Sequence, residues 1–429
     1  MNYIPRQIET EIIRYINSGK PRGIILAGII GVGKTTLVRQ ITEKLKDSFA
    51  CFAFSGDDLK FRQAIAADTT YLLKTIRSRT SDPALVCIDE IQKTPEILDA
   101  VKIAFDEENI SFIVTGSQPQ YLLSQARQRL QRRARAFHLY PFSLNEIYSA
   151  LNLCDQVSST LWVNLLQGDL PESLMELKGD WLSIYNDYQK YRLFGTIPLV
   201  YREKTKEEKL IAIENIINRG YQPIAGLTQQ EEDTILTEIA HLNNREFTYQ
   251  TILNKTRLKR REKINTVIEF YIQNGILFQR SRKLFTDFKQ SYHVIYSFVD
   301  PGIAYYICPP PGDSKTDNGF DLESVVHSQI NNWQNFYHFP ISTYYYVPYY
   351  VTPSGQIKYK TGSIDFLIET HNSIIPIEVK TTNNLNHIST PVIEELIQSG
   401  RAKYGIVFYQ GAPWLNKNKS IYYLPLAML

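Results

Sequence analysis

The sequence has few cysteines, no long apolar run and little net charge. Its 4 cysteines are scattered among 429 residues without C-x-x-C spacing, so the sequence predicts neither a zinc ribbon nor a disulfide framework. No apolar run approaches the roughly 20 residues that a membrane-spanning helix needs, and no charged-then-apolar secretion signal opens the chain. A formal net charge of +3 excludes a histone-like polycation. These absences predict a cytoplasmic protein without a membrane partner.

The length of the chain predicts several domains. Single hydrophobic cores stop growing at roughly 250–300 residues, whereas this chain has 429. About two to four domains are therefore expected. Because the total charge is mild, binding partners have to be inferred from local clusters of residues.

A glycine-rich motif between an apolar run and a helical pattern is the clearest signal in the chain. It reads G-x-x-x-x-G-K-[ST] and follows the strand-like run 24–27. Glycines allow a tight turn whose N–H groups point at phosphate oxygens, and the next helix presents the positive end of its dipole to them. Lys34 is expected to contact the β- and γ-phosphates, and Thr35 to bind Mg²⁺. The residues predicted to hold ATP here are Gly28, Gly31, Val32, Gly33, Lys34, Thr35 and Thr36.

Two further strand-like runs end in polar residues. The run 84–88 leads into Asp89, expected to hold Mg²⁺, and Glu90, expected to polarise the attacking water. The run 111–114 leads into Ser117, our candidate γ-phosphate sensor, with Thr115 and Gln118 as close alternatives. An ordinary polar turn is an equal alternative for each of them. Strands that alternate with helical segments predict a parallel sheet, and ligands bind at the carboxyl ends of its strands. All three motifs are therefore expected at one sheet edge.

The order of these motifs resembles a prokaryotic family of AAA-type ATPases, whose members carry a C-terminal nuclease-like domain of poorly defined role. By that likeness Arg133 is the best candidate for a catalytic arginine finger or sensor. A finger could be supplied by a neighbouring subunit of a homo-oligomer. Arg132 stands where the family usually has Gly, and a solvated basic face is the alternative. The stretches that carry the resemblance are 3–6, the phosphate loop, 88–93, 115–117, 130–133 and 141–146.

The middle of the chain changes from helical patterns to a basic module. Residues 150–225 lack clustered catalytic residue types and are predicted to form a helical lid. From 226 to 308, three helical stripes precede a hairpin with a basic tip at Arg280, Arg282 and Lys283, which predicts a winged helix. The start of its third helix is basic, where such a fold meets DNA phosphates; the alternative is a packing module with solvated charges. The residues predicted to contact nucleic acid are Arg257, Lys259, Arg260 and Arg261.

A second chemical cluster follows a breaker-rich linker at 309–315. Strand side chains repeat with period two, so Glu378 and Lys380 share a face, and Asp365 on the neighbouring strand is expected to join them. Two carboxylates and a lysine suit Mg²⁺ and an activated water, the chemistry of phosphodiester hydrolysis. The strand-like runs here are 344–350, 362–368 and 374–379.

This cluster resembles the restriction-endonuclease-like D…E-x-K superfamily. By that resemblance Asp365 and Glu378 are metal ligands, Lys380 is catalytic, and Glu323 matches a further helical acid of many members. The alternatives are a solvated strand face, or a pocket that holds nucleic acid or a partner without cutting it.

The sequence as a whole predicts an α/β protein of four parts. They are a P-loop parallel-sheet ATPase core at 1–149, a helical lid at 150–225, a winged helix at 226–308 and a restriction-endonuclease-like domain at 316–429. The expected cofactors are ATP and Mg²⁺, and the expected partner is nucleic acid. The leading hypothesis is ATP hydrolysis coupled to Mg²⁺-dependent cleavage of nucleic acid. Its rivals are an ATP-dependent switch that grips a partner without cleavage, and a DNA-binding regulator.

Overall fold

The computed structural model describes most of the chain. The described residues, with gaps between the ranges, are 3–106, 109–170, 172–218, 224–247, 249–256, 261–285, 293–309, 320–337 and 339–429. Three residues predicted to contact nucleic acid lie outside the described residues: Arg257, Lys259 and Arg260. Most of the predicted linker at 309–315 also lies outside them.

A parallel sheet forms the centre of the front part of the chain. Its strands in the described residues are β1 (Gly23–Ala27), β2 (Ala50–Ser55), β3 (Ala84–Asp89), β4 (Ile110–Gly116) and β5 (Ala134–His138). Their spatial order is β2-β3-β4-β1-β5, and every neighbouring pair is parallel. The predicted α/β fold with a parallel sheet is confirmed. The carboxyl ends of all these strands meet at one edge, with β1 between β4 and β5.

Helices cover both faces of this sheet because its inner strands β1, β3 and β4 are buried on both sides. They are α1 (Gln7–Ile16), α2 (Lys34–Leu45), α3 (Leu59–Ala67), α4 (Tyr71–Arg77), α5 (Ile97–Asp106) and α6 (Pro119–Arg129). Along β1, Ile24 and Leu26 join a buried cluster with α1 and α2, whereas Ile25 and Ala27 join another with α5 and α6. This alternation follows from the period of two along a strand.

The middle of the chain is helical and contributes to two cores. Its helices are α7 (Leu144–Ala150), α8 (Ser159–Gln167), α9 (Trp181–Phe194), α10 (Pro198–Tyr201) and α11 (Lys206–Asn218). Trp162 of α8 stacks on Trp333 of the C-terminal part, with ring centroids 4.7 Å apart. Ile213 of α11 instead joins the core of the front part. The residues predicted as one lid, 150–225, therefore divide between two cores.

The next part combines helices with a hairpin. Its elements are α12 (Gln229–His241), β6 (Glu246–Phe247), α13 (Tyr249–Thr256), α14 (Arg261–Gln273), β7 (Leu277–Arg282), β8 (Val294–Phe298) and α15 (Pro301–Ile307). Strands β7 and β8 pair antiparallel, and β6 adds to the free edge of β8. None of the described helices, here or elsewhere, has both the length and the apolar character needed to cross a bilayer.

The C-terminal part builds a mixed sheet. Its elements are α16 (Phe320–Trp333), β9 (Ser342–Tyr346), β10 (Tyr349–Val351), β11 (Ile357–Tyr359), β12 (Ile364–Glu369), β13 (Ile374–Val379), α17 (Pro391–Gln398), β14 (Gly405–Tyr409), β15 (Trp414–Asn416) and β16 (Ile421–Pro425). In the described residues the strand order is β15-β16-β14-β13-β12-β9-β7-β8-β6. Because β7 and β9 pair in parallel, the predicted winged helix and the C-terminal domain share one continuous sheet.

The predicted basic tip of the β7–β8 hairpin is wrong for two of its residues. Arg280 and Arg282 lie inside β7 and are only 1% and 6% exposed. Lys283 follows β7 directly and pairs with Glu369 at 2.6 Å. The reason is that β7 is an inner strand, paired with β8 on one side and β9 on the other, and its two arginines contact Glu323 of α16 and Glu246 of β6.

The predicted strand at 344–350 is also wrong, because it is two strands. The first, β9, ends at Tyr346, and β10 begins at Tyr349 and pairs with β11 in a separate ribbon. Pro348 lies at the break and has no N–H group to donate to a sheet ladder. The ribbon therefore leaves the main sheet at this proline.

Candidate functional site

The phosphate loop joins β1 to α2, and its glycines are needed for two reasons. Gly31 and Gly33 have φ angles of +78° and +94°, the left-handed region that favours glycine. At Gly28, a Cβ atom would lie 2.6 Å from the carbonyl oxygen of Leu139. Val32 is buried within the loop, whereas Thr35 and Thr36 are exposed at the start of α2. The loop thus holds a fixed shape with the helix N-terminus open to an anion.

Lys34 is buried and points back into the loop. Its Nζ donates hydrogen bonds to the carbonyl oxygens of Gly28, at 2.8 Å, and Ile29, at 3.0 Å. Burial lowers the pKa of Lys34 to about 8, and the nearby carboxylates of Asp89 and Glu90 oppose that shift. Both bonded acceptors are neutral, so a phosphate oxygen would be a stronger partner for this ammonium.

Asp89 ends β3 beside the start of α2. The hydroxyl groups of Thr35 and Thr115 both donate to its carboxylate, and the backbone N–H of Glu90 donates to Oδ1 at 3.0 Å. A hydroxyl and a carboxylate in contact are oxygen ligands of the kind that Mg²⁺ takes beside nucleotide phosphates. The described residues contain no group of three or more His, Cys, Asp or Glu that could hold a metal ion. Thr35 and Asp89 therefore fit Mg²⁺ as a partial site that phosphate oxygens would complete.

Glu90 and Ser117 are in contact, as expected from two neighbouring strand ends. The Ser117 hydroxyl donates to Glu90 Oε2 at 2.8 Å. Gln92, which the sequence prediction missed, donates from Nε2 to both Glu90 and Ser117. Glu90 has a φ angle of +53°, which is uncommon for a residue with a side chain and marks the sharp turn after β3. The turn thus directs this carboxylate toward the serine rather than along the strand.

Arg133 lies at the amino-terminal ends of the strands, whereas the phosphate loop lies at their carboxyl ends. Its neighbour Ala134 pairs with Gly23, the first residue of β1, whereas the loop follows the last. Five residues of strand span roughly 16 Å at about 3.3 Å per residue. The guanidinium pairs with Asp106 through Nε at 2.6 Å and Nη2 at 3.0 Å. Arg133 is therefore too far away to act on a nucleotide in its own chain.

Arg6 is a buried residue of this site to which the sequence analysis gave no role. It donates from Nη1 to the carbonyl oxygen of Val32 in the phosphate loop, at 3.1 Å. It also donates from Nη2 to the carbonyl oxygen of Tyr140, at 2.6 Å, and from Nε to Glu146, at 3.1 Å. Arg6 thus ties the loop to the segment after β5. The signal for it was present, because 3–6 and 141–146 both carried the family resemblance.

The loop is also covered by a turn that precedes α10. The backbone N–H of Leu199 donates to the carbonyl oxygen of Gly31 at 3.0 Å. Asp300, which is buried, accepts the N–H of Thr196 at 2.8 Å and so holds this turn from outside. A Cβ at Gly195 would lie 1.6 Å from Oδ1 of Asp300. The start of α10 is thus held against the phosphate loop, and Asp300 holds the turn that precedes it.

The C-terminal pocket brings Asp365, Glu378 and Lys380 together. Lys380 Nζ pairs with Glu378 Oε2 at 2.7 Å, and Asp365 Oδ2 accepts the N–H of Val379 at 2.8 Å. Burial raises the pKa of the Asp365 and Glu378 carboxyls, and Lys380 opposes the rise in each. The pairing of β12 with β9 shifts register between Ile364 and Leu367, which is where Asp365 lies. Such irregularities re-aim a side chain.

Glu323 approaches the same pocket from α16 but has a partner of its own. Arg280 Nη2 lies 2.5 Å from Glu323 Oε2. Burial raises the pKa of Glu323 to about 8, Asp365 adds to the rise, and Arg280 opposes it. The carboxylates of Asp365 and Glu378 therefore fit Mg²⁺ as oxygen donors, whereas Glu323 is taken up by an arginine.

Arg261 is the described member of the predicted nucleic-acid set. It begins α14, is exposed, and its guanidinium lies 3.9 Å from the ring centroid of Tyr249. Stacking on an aromatic ring holds an arginine in place without neutralising it. Its predicted contact with nucleic acid stays a prediction.

Comparison with protein families identifies the front part of the chain. Residues 20–148 match the model of an AAA domain. This part is an AAA-type P-loop domain. The match implies nucleotide binding, in agreement with the geometry of the loop. Residues 318–429 match a domain of unknown function, DUF4143.

Individual relatives are distant. An uncharacterised protein of Methanocaldococcus jannaschii, MJ1637, is 24% identical over 278 residues, which cover 61% of this chain and 57% of the relative. The chain thus spans less than two thirds of the length of that curated relative. Similar solved structures include Cdc6p from Pyrobaculum aerophilum, with 14% identity, 71% of this chain and 96% of that chain covered, and a TM-score of 0.28. Domain III of Thermotoga maritima DnaA has 12% identity, with 50% and 95% covered, and a TM-score of 0.27. TM-scores this low carry no argument about this chain.

Proposed function

We propose that the AAA-type domain binds ATP with Mg²⁺ and hydrolyses it. The observation that carries this proposal is that Lys34, Thr35, Asp89 and Glu90 meet at one sheet edge from separate motifs. Lys34 would exchange its loop carbonyls for the β- and γ-phosphates. Mg²⁺, when bound between Thr35 and Asp89, would offset the charge of the phosphates. Glu90 would orient the attacking water, and Ser117 would hold Glu90 in position.

Removing the lysine tests nucleotide binding. Lys34→Ala is expected to abolish ATP binding measured by calorimetry, because the buried ammonium is the charge that faces the phosphates. Lys46→Ala is the matched control, since Lys46 ends the same helix, is exposed and pairs with Glu43. Unchanged affinity in Lys34→Ala would refute the assignment of the loop.

For the C-terminal domain, the proposal is Mg²⁺-dependent cleavage of nucleic acid. Asp365 and Glu378 would hold the ion, and Lys380, which contacts Glu378, would orient the attacking water. The supporting observation is the convergence of these three side chains in one pocket. Nucleic acid as the substrate rests on that chemistry and on the basic residues predicted to contact it, of which Arg261 at the start of α14 is the described one.

Loss of one acid tests the cleavage proposal. Glu378→Ala is expected to abolish Mg²⁺-dependent cutting of single- or double-stranded DNA and RNA, because one of two metal ligands is lost. Glu395→Ala on α17 is the control, since Glu395 pairs with Lys360 at the surface. Identical products from wild type and Glu378→Ala would remove cleavage from the account.

A switch without cleavage is the second candidate. One observation favours it: Asp365, Glu378 and Glu323 each already have an N–H or cationic partner within the chain. The domain would then grip a partner whose choice depends on ATP. If ATP turnover and partner binding both survive the loss of Asp365 and Glu378, this candidate replaces the nuclease.

A further inference from the structure

Arg280 enters the C-terminal pocket from outside the C-terminal domain. It lies on β7, is 1% exposed, and packs its guanidinium 4.0 Å from the ring centroid of Phe366, the residue after Asp365. Its Nη2 contacts Glu323 at 2.5 Å and Asn244 Oδ1 at 3.3 Å. Among the described residues, its Nε and Nη1 have no hydrogen-bond partner. A fully buried cation is thus held chiefly by the acids around it.

The pocket contains two ion pairs and a further acid. Arg280 pairs with Glu323, Lys380 pairs with Glu378, and Asp365 interacts electrostatically with both cations. Buried charges persist when they are paired. The side chain of Lys380 is 34% exposed and can release Glu378 to a metal ion, whereas Arg280 is fully buried and keeps Glu323 as its partner.

Arg280 is fixed in place by the sheet and by its neighbours. The next residue, Ser281, pairs with Tyr344 of β9, so the backbone cannot withdraw without breaking the joint between β7 and β9. Asn244 links the same region to α16, because its side chain donates to Ser324 Oγ at 2.9 Å. The arginine is therefore a fixed part of the pocket.

We propose that Arg280 is a built-in cation that takes the place of a second metal ion, so that the pocket holds a single divalent cation between Asp365 and Glu378. Glu323 is then the counterion of Arg280 and not a metal ligand. This inference rests on the proposed metal site of the C-terminal domain and defines how many ions it takes. Without Arg280, Glu323 and Asp365 would form a second pair of oxygen donors open to a divalent ion.

Counting bound Mn²⁺ tests this inference without measuring activity. The full chain is used without nucleotide and with Asp89→Asn, which silences the front metal site, and free Mn²⁺ is followed by electron paramagnetic resonance. The expected stoichiometry is one ion per chain, lost on Glu378→Gln. Arg280→Met is expected to bind two ions, and Arg280→Lys, which keeps the charge, to bind one. An Arg280→Met chain that still binds one ion would overturn the inference.

Glu323→Gln provides an independent test that does not depend on removing the arginine. Because Glu323 is not a ligand in this account, the variant should keep one Mn²⁺ with unchanged affinity. Loss of that ion would overturn the inference, as would a wild-type pocket that binds no ion sensitive to Glu378. One bound ion with no cutting of nucleic acid would support the inference and contradict only the proposed cleavage.

Discussion

Lys34 is the residue proposed to face the phosphates of ATP, and its burial makes its positive charge sensitive to pH. Its ammonium is surrounded by loop carbonyls rather than water, so deprotonation costs less than it would at the surface. Asp89 and Glu90 keep part of the charge in place. Nucleotide affinity is thus linked to the protonation of one buried side chain.

ATP affinity should therefore weaken in mildly alkaline solution. The pKa of Lys34 is lowered to about 8, so the ammonium is lost as pH rises through that value, and a triphosphate binds the charged form. The dissociation constant is expected to rise by up to about tenfold per pH unit above pH 8. Calorimetry from about pH 7 to pH 10 measures it. A dissociation constant that stays flat across this range would contradict a buried lysine at the phosphates.

Contacts between side chains were predictable where motifs follow neighbouring strands. Asp89 and Ser117 follow runs of apolar residues that had to become adjacent strands, so their meeting with the phosphate loop could be expected. Their chemical roles stay predictions. Arg6 and Arg280 could not be found this way, because neither follows a strand of the parallel sheet, and their partners Glu146 and Glu323 lie on elements that no motif places beside them. Sequence spacing carries no information about such contacts.

At the scale of elements, β7 shows that the burial of two arginines depends on which strand pairs with it. Arg280 and Arg282 share a face because strand side chains alternate, and from the sequence that face reads as a solvated hairpin. In the structure β9, which lies some sixty residues later in the sequence, pairs with the free side of β7 and makes it an inner strand of the mixed sheet. The two arginines then require acids, which α16 and β6 supply as Glu323 and Glu246. Only the long-range pairing distinguishes an exposed basic tip from two buried arginines that are paired with acids.

Other elements were readable from local chemistry. Strands β1, β3 and β13 lie where short apolar runs predicted them, because a run of four to six apolar residues suits a strand covered on both faces. Pro348 was a local signal for the break between β9 and β10, although the sequence-based prediction treated 344–350 as one strand. The type of each element could thus be predicted from its local sequence, whereas the pairing of the strands could not.

At the scale of the whole molecule, Arg133 needs a second copy of the chain to act as a finger. It lies at the sheet edge away from its own phosphate loop. We therefore expect Arg133→Ala and Lys34→Ala each to lack ATP turnover, and a mixture of the two to regain part of it. In the mixture, an intact Arg133 from one chain can reach the nucleotide of the other.

Phosphate release assays on the separate and mixed variants measure this complementation. Arg132→Ala is the matched control, since its side chain is the exposed neighbour. Normal turnover by Arg133→Ala alone, or no gain on mixing, would rule out a finger supplied between chains.

The central claim is that the protein hydrolyses ATP at the site formed by the phosphate loop, Asp89 and Glu90. Its most direct test is the identity of the nucleotide that remains bound after incubation with MgATP, separated by chromatography. Wild type and the exposed control Glu96→Gln should yield ADP, whereas Glu90→Gln should retain ATP, because it binds the nucleotide but cannot orient the water. Conversion of ATP to ADP by Glu90→Gln at the wild-type rate would contradict the account.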